Sequence, residues 1–123
     1  MNGVNLLLDT NILIYLFSGH DHLFDFLKDT SISVSIISEI EILSFPNLDS
    51  KGEKKIKDFF KSVELIRLND QVKELSIQIK KSYKLKLPDA VIAATAFYKN
   101  IPLVSTDTDF EKIEELNLIK YEL

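Results

Sequence analysis

The sequence has no cysteine and no tryptophan, and it has only three glycines and three prolines among its 123 residues. Without cysteine the protein cannot form disulfides, a thiolate metal site or a cysteine nucleophile. Residues 4–11 contain no glycine-rich phosphate-binding pattern, and no pairing of serine with histidine indicates a hydrolase nucleophile. Any activity must therefore come from other side chains.

Apolar runs long enough to span a bilayer are also missing. The first apolar run is cut at Asp9 and no basic segment precedes it, so we expect neither a signal peptide nor a membrane-spanning helix. We expect a cytoplasmic protein with no membrane partner. The net charge of −4 argues against a broadly basic nucleic-acid-binding protein, but it leaves open an enzyme that contacts RNA through a local basic patch.

The most informative stretch is the sequence NLLLDTN at residues 5–11. Three consecutive leucines are typical of a strand that is buried on both faces. A carboxylate does not belong in the middle of such a strand, so Asp9 is predicted to end it. Thr10 and Asn11 can then begin a helix. This arrangement places Asp9 in the crevice where open α/β sheets bind their ligands.

The rest of the chain alternates short apolar strands with amphipathic helices. We expect one domain over residues 1–123, a three-layer α/β/α architecture around a central parallel sheet of about four or five strands. The predicted strands cover residues 6–8, 32–35, 63–68, 101–104 and 118–121. The predicted helices cover residues 10–17, 21–28, 38–44, 53–61, 70–84, 87–98 and 110–116.

Acidic residues stand where this architecture can bring them together. Asp9 and Asp107 each follow a buried strand, and the carboxyl ends of parallel strands lie on one edge of a sheet. Asp89 begins a buried helix, and Glu39 and Glu41 lie on the helix after the second strand. Several carboxylates in one crevice raise one another's pKa unless a cation is present. Mg²⁺ or Mn²⁺ prefers such oxygen ligands and can promote phosphodiester hydrolysis.

Each of these residues also has a purely structural interpretation. An aspartate after a strand is often a helix cap or a turn former. Asp89 can stabilise the dipole of its helix, and Asp109 can cap the helix predicted at residues 110–116. A group of lysines before Asp89 can form a phosphate path into the crevice or merely a solvated helix face; its members are Lys80, Lys81, Lys84 and Lys86.

Four segments of the chain resemble, in order, the four acidic motifs of PIN-domain ribonucleases. They are DTN at residues 9–11, SEIEIL at 38–43, LPDAVIAATA at 87–96 and LVSTDTDF at 103–110. The resemblance covers nearly the whole chain and is greatest to the small VapC-type toxins of prokaryotic toxin–antitoxin pairs. In one place the pattern differs, because residues 44–46 read Ser-Phe-Pro where the family often has a glycine.

The resemblance implies a metal-dependent endoribonuclease that uses Mg²⁺ or Mn²⁺ to hydrolyse RNA. It implies that the catalytic, metal-binding acids are Asp9, Glu41, Asp89 and Asp107, supported by Asn11, Ser105 and Asp109. It also implies a homodimer and a small antitoxin partner. Exposed apolar positions on the early helices are candidates for such partner contacts, although they could equally belong to the core; they are Ile14, Phe17, Phe24 and Phe45.

Two other functions remain open at this point. A PIN-fold scaffold could bind RNA or a protein without cleaving it, although the presence of all four acids counts against this. A phospho-receiver domain has a similar length, but it needs adjacent acids after its first strand, where this chain has Asp9 followed by Thr10. It also needs an aspartate at the end of the third strand, and VELIRL has none.

Overall fold

The computed structural model describes residues 4–122 of the chain. Its strands are β1 (Asn5–Leu8), β2 (Ser31–Ser35), β3 (Glu64–Ile66), β4 (Leu103–Ser105) and β5 (Leu118–Lys120). Its α-helices are α1 (Thr10–Phe17), α2 (Asp21–Leu27), α3 (Ile36–Leu43), α4 (Ser50–Ser62), α5 (Asp70–Ser82) and α6 (Leu87–Lys99). A 3₁₀ helix follows β4 at Thr108–Lys112. Within this part of the chain, no helix is both long and apolar enough to cross a membrane.

The five strands form one parallel sheet in the order β3-β2-β1-β4-β5. The chain moves outward from β1 in one direction through β2 and β3, and in the other through β4 and β5. Strand β1 is therefore the point where the strand order reverses, and such points in open α/β sheets have a crevice beyond the carboxyl ends of the strands. The predicted α/β fold with a parallel sheet of four or five strands is confirmed.

Helices cover both faces of this sheet, and β1 contributes to both cores. Leu7 packs in the cluster formed with α5 and α6. Leu6 and Leu8 point the other way, into the cluster formed with α1, α2 and α4. Successive side chains of a strand face opposite sides of the sheet, so three leucines in a row serve two hydrophobic layers at once. The three-layer arrangement follows from that pattern.

Two helices begin earlier than the sequence predicted, because a polar side chain caps each of them. Helix α3 begins at Ile36, and the hydroxyl of Ser35 accepts a hydrogen bond from the Ile37 N–H at 3.1 Å. Helix α4 begins at Ser50, and the carboxylate of Asp49 accepts one from the Gly52 N–H at 2.7 Å. Capping serine and aspartate satisfy amide groups that the first helical turn leaves free.

The chain after β4 differs more from the prediction. A helix at residues 110–116 was wrong, because the structure has a 3₁₀ helix at Thr108–Lys112 instead. The side chain of Asp107 accepts a hydrogen bond from the Asp109 N–H and begins this turn earlier than expected. Strand β4 is also displaced from the predicted 101–104, since Pro102 lacks the N–H that a ladder position requires.

The central position of β1 gives a stability prediction. Leu7 is fully buried, whereas Leu68, after β3, is 54% exposed. We expect Leu7→Ala to lower the free energy of unfolding by about 3 kcal/mol, because it leaves a cavity between two layers. The matched change Leu68→Ala should cost less than about 0.5 kcal/mol. Urea denaturation measures both, and equal losses in the two variants would contradict the assigned core.

Candidate active site

Asp9 is a buried carboxylate held between the two central strands. Its N–H donates to the Val104 carbonyl at 3.0 Å, which extends the pairing of β1 with β4 by one residue. One carboxylate oxygen accepts the Thr10 N–H at 2.8 Å and caps α1. The other accepts the Ser105 hydroxyl at 2.6 Å. The residue is only 3% exposed, so these contacts fix its orientation.

Ser105 connects Asp9 to the acidic turn that follows β4. Its hydroxyl donates to Asp9 and accepts the Asp107 N–H at 3.0 Å. Because Ser105 is fully buried at the end of β4, one small side chain sets the spacing between two carboxylates. The sequence placed Ser105 near the site, and the structure supplies the two hydrogen bonds through which it acts.

Three carboxylates from α6 and the turn after β4 lie close enough to share one ion. One oxygen from each of Asp89, Asp107 and Asp109 lies within 4.8 Å of the others. Asp89 occupies the first turn of α6 directly after Pro88, a residue that suits a helix start. The alternative role for Asp109, as the cap of the last helix, is not observed, since Asp107 caps the 3₁₀ helix. The Asp109 carboxylate lies in the cluster and also 3.6 Å from the Lys112 ammonium group.

Glu41 reaches the site from α3 and is held there by Thr10. The Thr10 hydroxyl donates to a Glu41 carboxylate oxygen at 2.8 Å. Since the single hydroxyl hydrogen of Thr10 is used in this bond, Ser38 must donate to Thr10 across their 2.9 Å contact. From the sequence, no site role was predicted for Thr10 or Ser38. The available signal was the spacing of Ser38 and Glu41, which places both on one face of a helix.

These groups line a common cavity of about 270 Å³ beyond the carboxyl end of β1. The four predicted metal-binding acids all contribute to its wall: Asp9, Glu41, Asp89 and Asp107. The remaining wall consists of Thr10, Asn11, Ile14, Phe45, Lys86 and Pro88. Glu39, the alternative acid on α3, does not line it. The topology thus gathers residues from four separate segments into one small, open space.

The carboxylates raise one another's proton affinity. Burial, together with the negative charges of Asp9 and Asp107, raises the pKa of Asp89 to about 6, although Lys86 opposes the shift. Burial also raises the pKa of Asp9, although the hydrogen bonds from Ser105 and Thr10 act against that. A bound cation would relieve this repulsion. The all-oxygen donor set suits a hard divalent ion such as Mg²⁺ or Mn²⁺.

Only one of the four predicted lysines lines the acidic cavity. Lys86 lines the acidic cavity itself. Lys80, Lys81 and Lys84 line an adjoining surface groove of about 600 Å³, which also includes Lys86. Lys86 therefore stands where the basic groove meets the acidic cavity, and all four lysines are exposed.

Of the apolar residues predicted to contact a partner, two are exposed and two are partly buried. Phe24 and Phe45 are 63% and 43% exposed, respectively. Phe17 is partly buried and packs edge to face on Phe59, with ring centroids 5.0 Å apart. Ile14 is partly buried and lines the acidic cavity. Phe17 thus belongs to the core beneath α4, whereas Phe24 and Phe45 are available for contact.

The chain matches a known protein family and resembles solved structures. The family model of the PIN domain matches residues 6–116. A chain of a toxin–antitoxin complex from Klebsiella pneumoniae is 31% identical, with a TM-score of 0.84, covering 96% of this chain and 99% of that one.

Two further solved structures share the fold at lower sequence identity. A chain of VapBC2 from Rickettsia felis, bound to a DNA fragment from their promoter, is 22% identical with a TM-score of 0.84, covering 97% of this chain and 100% of that one. A chain of VapBC-1 from nontypeable Haemophilus influenzae is 21% identical with a TM-score of 0.79, covering 95% and 98% of the two chains. Among curated proteins no sequence match was found.

The raised pKa of Asp89 predicts how pH affects the metal-free protein. Its folded value of about 6 exceeds the ordinary value of 3.8, so the folded state holds this proton longer than the unfolded state. The contribution of Asp89 to the free energy of unfolding should therefore fall as pH rises from about 4 to 6 and stay lower above that range. In Asp89→Asn this loss of stability should be smaller by about 1–2 kcal/mol, because the variant has no titrating carboxyl at this position; the figure allows for screening by solvent.

The measurement is urea denaturation in EDTA at several pH values. Asp25→Asn, which changes an exposed aspartate on α2, serves as the matched control and should keep the wild-type profile. An Asp89→Asn profile parallel to that of the wild type would contradict the assigned repulsion.

Proposed function

This chain belongs to the PIN domain family, and we propose that it is a divalent-metal-dependent endoribonuclease that acts as the toxin of a type II toxin–antitoxin pair. The observation that carries the proposal is the convergence of Asp9, Glu41, Asp89 and Asp107 on one cavity. These acids come from β1, α3, α6 and the turn after β4, and a structural role for each one separately does not explain why they meet.

Two groups of carboxylates would bind metal in this proposal. Asp89, Asp107 and Asp109 form a close trio that would hold one cation. Asp9 and Glu41 line the same space, and each is oriented by a hydroxyl, from Ser105 and Thr10 respectively. Such supporting hydrogen bonds keep ligands in place and tune their affinity. When bound, Mg²⁺ or Mn²⁺ supplies an activated water and neutralises charge on the phosphodiester.

In this proposal, basic residues attract the RNA to the acidic cavity. Lys86 offers an ammonium group to a phosphate beside the acids, and the adjoining lysines offer further contacts along the same groove. Their positive charge offsets the repulsion that an acidic cavity exerts on RNA. The net charge of the whole chain is −4, so binding depends on this local patch.

The toxin assignment is supported by the solved structures that share the fold. The Klebsiella pneumoniae chain, at 31% identity, comes from a toxin–antitoxin complex and matches over almost its whole length. A small antitoxin protein is therefore the proposed partner of this chain. The homodimer, the single domain over residues 1–123 and the cytoplasmic location stay predictions.

A non-cleaving scaffold is the alternative that the experiment must separate. A scaffold has no need for hydroxyl groups that orient two of the acids, so the Ser105 and Thr10 contacts favour catalysis. The receiver-domain alternative loses support, because the strand order β3-β2-β1-β4-β5 differs from the order 2-1-3-4-5 of receiver domains.

We expect the wild-type protein to cleave a labelled RNA panel, including structured tRNA, in Mg²⁺ or Mn²⁺ and not in EDTA. Asp89→Asn should lower the cleavage rate by more than about a hundredfold, because it removes a ligand from the closest trio of acids. Asp25→Asn, purified in parallel, should cleave like the wild type. Equal cleavage by all three proteins would indicate a contaminating nuclease, and no cleavage by any of them would favour the scaffold.

The role of Thr10 gives a second, more specific prediction. Thr10→Val keeps the shape of the side chain but removes the donor to Glu41, so we expect Mn²⁺ affinity to fall about 10- to 100-fold. Thr10→Ser keeps the hydroxyl and should retain most of that affinity. Isothermal titration with Mn²⁺ measures both variants, and an unchanged affinity in Thr10→Val would show that Glu41 does not need this bond.

A further inference from the structure

Phe45 is an exposed aromatic residue on the wall of the acidic cavity. Its side chain is 43% exposed, whereas Phe60 and Phe110 are 3% and 0% exposed in the core. The aromatic pairs found in the described part of the chain involve other rings, such as Phe17 with Phe59 and Phe26 with Tyr121. Phe45 therefore does not serve the core, and its position beside the acids requires another explanation.

The backbone around Phe45 holds this ring in a defined place. Helix α3 ends at Leu43, and the Phe45 N–H still donates to the Ile42 carbonyl at 3.3 Å. The Ser44 hydroxyl donates to the Ile40 carbonyl at 2.5 Å, and Pro46 follows with a fixed φ. Only three residues separate Glu41 from Phe45, so one short segment supplies both a carboxylate and an aromatic ring to the cavity.

The wall of the cavity combines charged and apolar side chains. Its charge comes from the four carboxylates and from Lys86. Ile14, Phe45 and Pro88 on the same wall are apolar. A bound metal ion alone makes no use of the apolar side chains. A nucleotide has use for both, because each of its units joins a charged phosphate to a base with a flat, apolar face.

We propose that Phe45 forms a nucleobase subsite, in which one unpaired base next to the scissile phosphate stacks on its ring. The inference rests on the proposed nuclease function and adds to it a contact between Phe45 and one base of the RNA. Stacking on an exposed ring needs a base removed from its helix, since a duplex hides the faces of its bases.

The subsite discriminates weakly between bases. Stacking uses the face of the ring system, which all four bases possess, and no hydrogen-bond readout is required. Specificity among RNAs then arises from whether a loop can present an unstacked base and its phosphate together. The basic groove has a different role in this proposal, because its lysines contact only the phosphate backbone of the RNA.

The test combines a protein change with an RNA change at the same contact. A single-stranded substrate from the RNA panel is prepared intact and with one abasic nucleotide at each position around the cut. For the wild type, we expect one abasic position to lower kcat/KM about tenfold. Phe45→Ala should lower kcat/KM for the intact RNA by a similar factor and show no further loss with that abasic RNA. Phe45→Trp should retain the wild-type behaviour.

Phe24→Ala removes an exposed phenylalanine away from the cavity and serves as the matched control. It should respond to the abasic substrate like the wild type. The proposal is overturned if Phe45→Ala cleaves intact RNA like the wild type, or if the protein and RNA losses multiply. Either result would instead favour a role for Phe45 in contact with another protein.

A binding measurement separates this proposal from the nuclease function. A short RNA carrying 2-aminopurine is titrated in Mg²⁺ with Asp107→Asn, which suppresses cleavage, and with the Asp107→Asn, Phe45→Ala double variant. We expect 2-aminopurine fluorescence to fall on binding only when Phe45 is present. If the wild type cleaves no RNA but this difference persists, the nuclease function fails and the subsite stands. If the two variants behave alike, the subsite is wrong whether or not cleavage occurs.

Discussion

The hydrogen bond from Ser105 to Asp9 joins the two central strands at the point where the site begins. It is 2.6 Å long and buried, and the same hydroxyl accepts the N–H of Asp107. An ionised carboxylate is stable in this position only while it is hydrogen-bonded. The pairing of β1 with β4, the cap of α1 and the spacing of the acidic turn all converge on Asp9, so the cavity depends on this contact.

Around that contact the fold brings together charges that repel one another. Burial and neighbouring carboxylates raise the pKa of Asp89 to about 6, and Asp9 is shifted in the same direction. The core supports this arrangement through the two hydrophobic layers on either side of β1. Groups whose pKa is shifted in a cleft are typical of functional sites, because the fold must stabilise them with contacts made elsewhere.

The site is more than a cluster of acids. Lys86 stands where the acidic cavity meets a basic groove, and Phe45 gives the same cavity an apolar wall. In the proposed function, metal binding, phosphate binding and base stacking use different side chains around one small space. The Ser-Phe-Pro segment at residues 44–46 supplies the aromatic part of this wall.

The sequence alone determined the α/β fold, the position of Asp9 after the first strand and the family to which the chain belongs, because apolar periodicity and the acidic motifs are local patterns. It did not determine the contacts of Thr10 with Ser38 and Glu41, since these join residues 28 and 31 positions apart. It misplaced the last helix, where the Asp107 cap competed with helical periodicity. Only the tertiary structure decided which lysine reaches the acids and that Phe45 faces them, because a side chain's surroundings depend on which segments pack beside it.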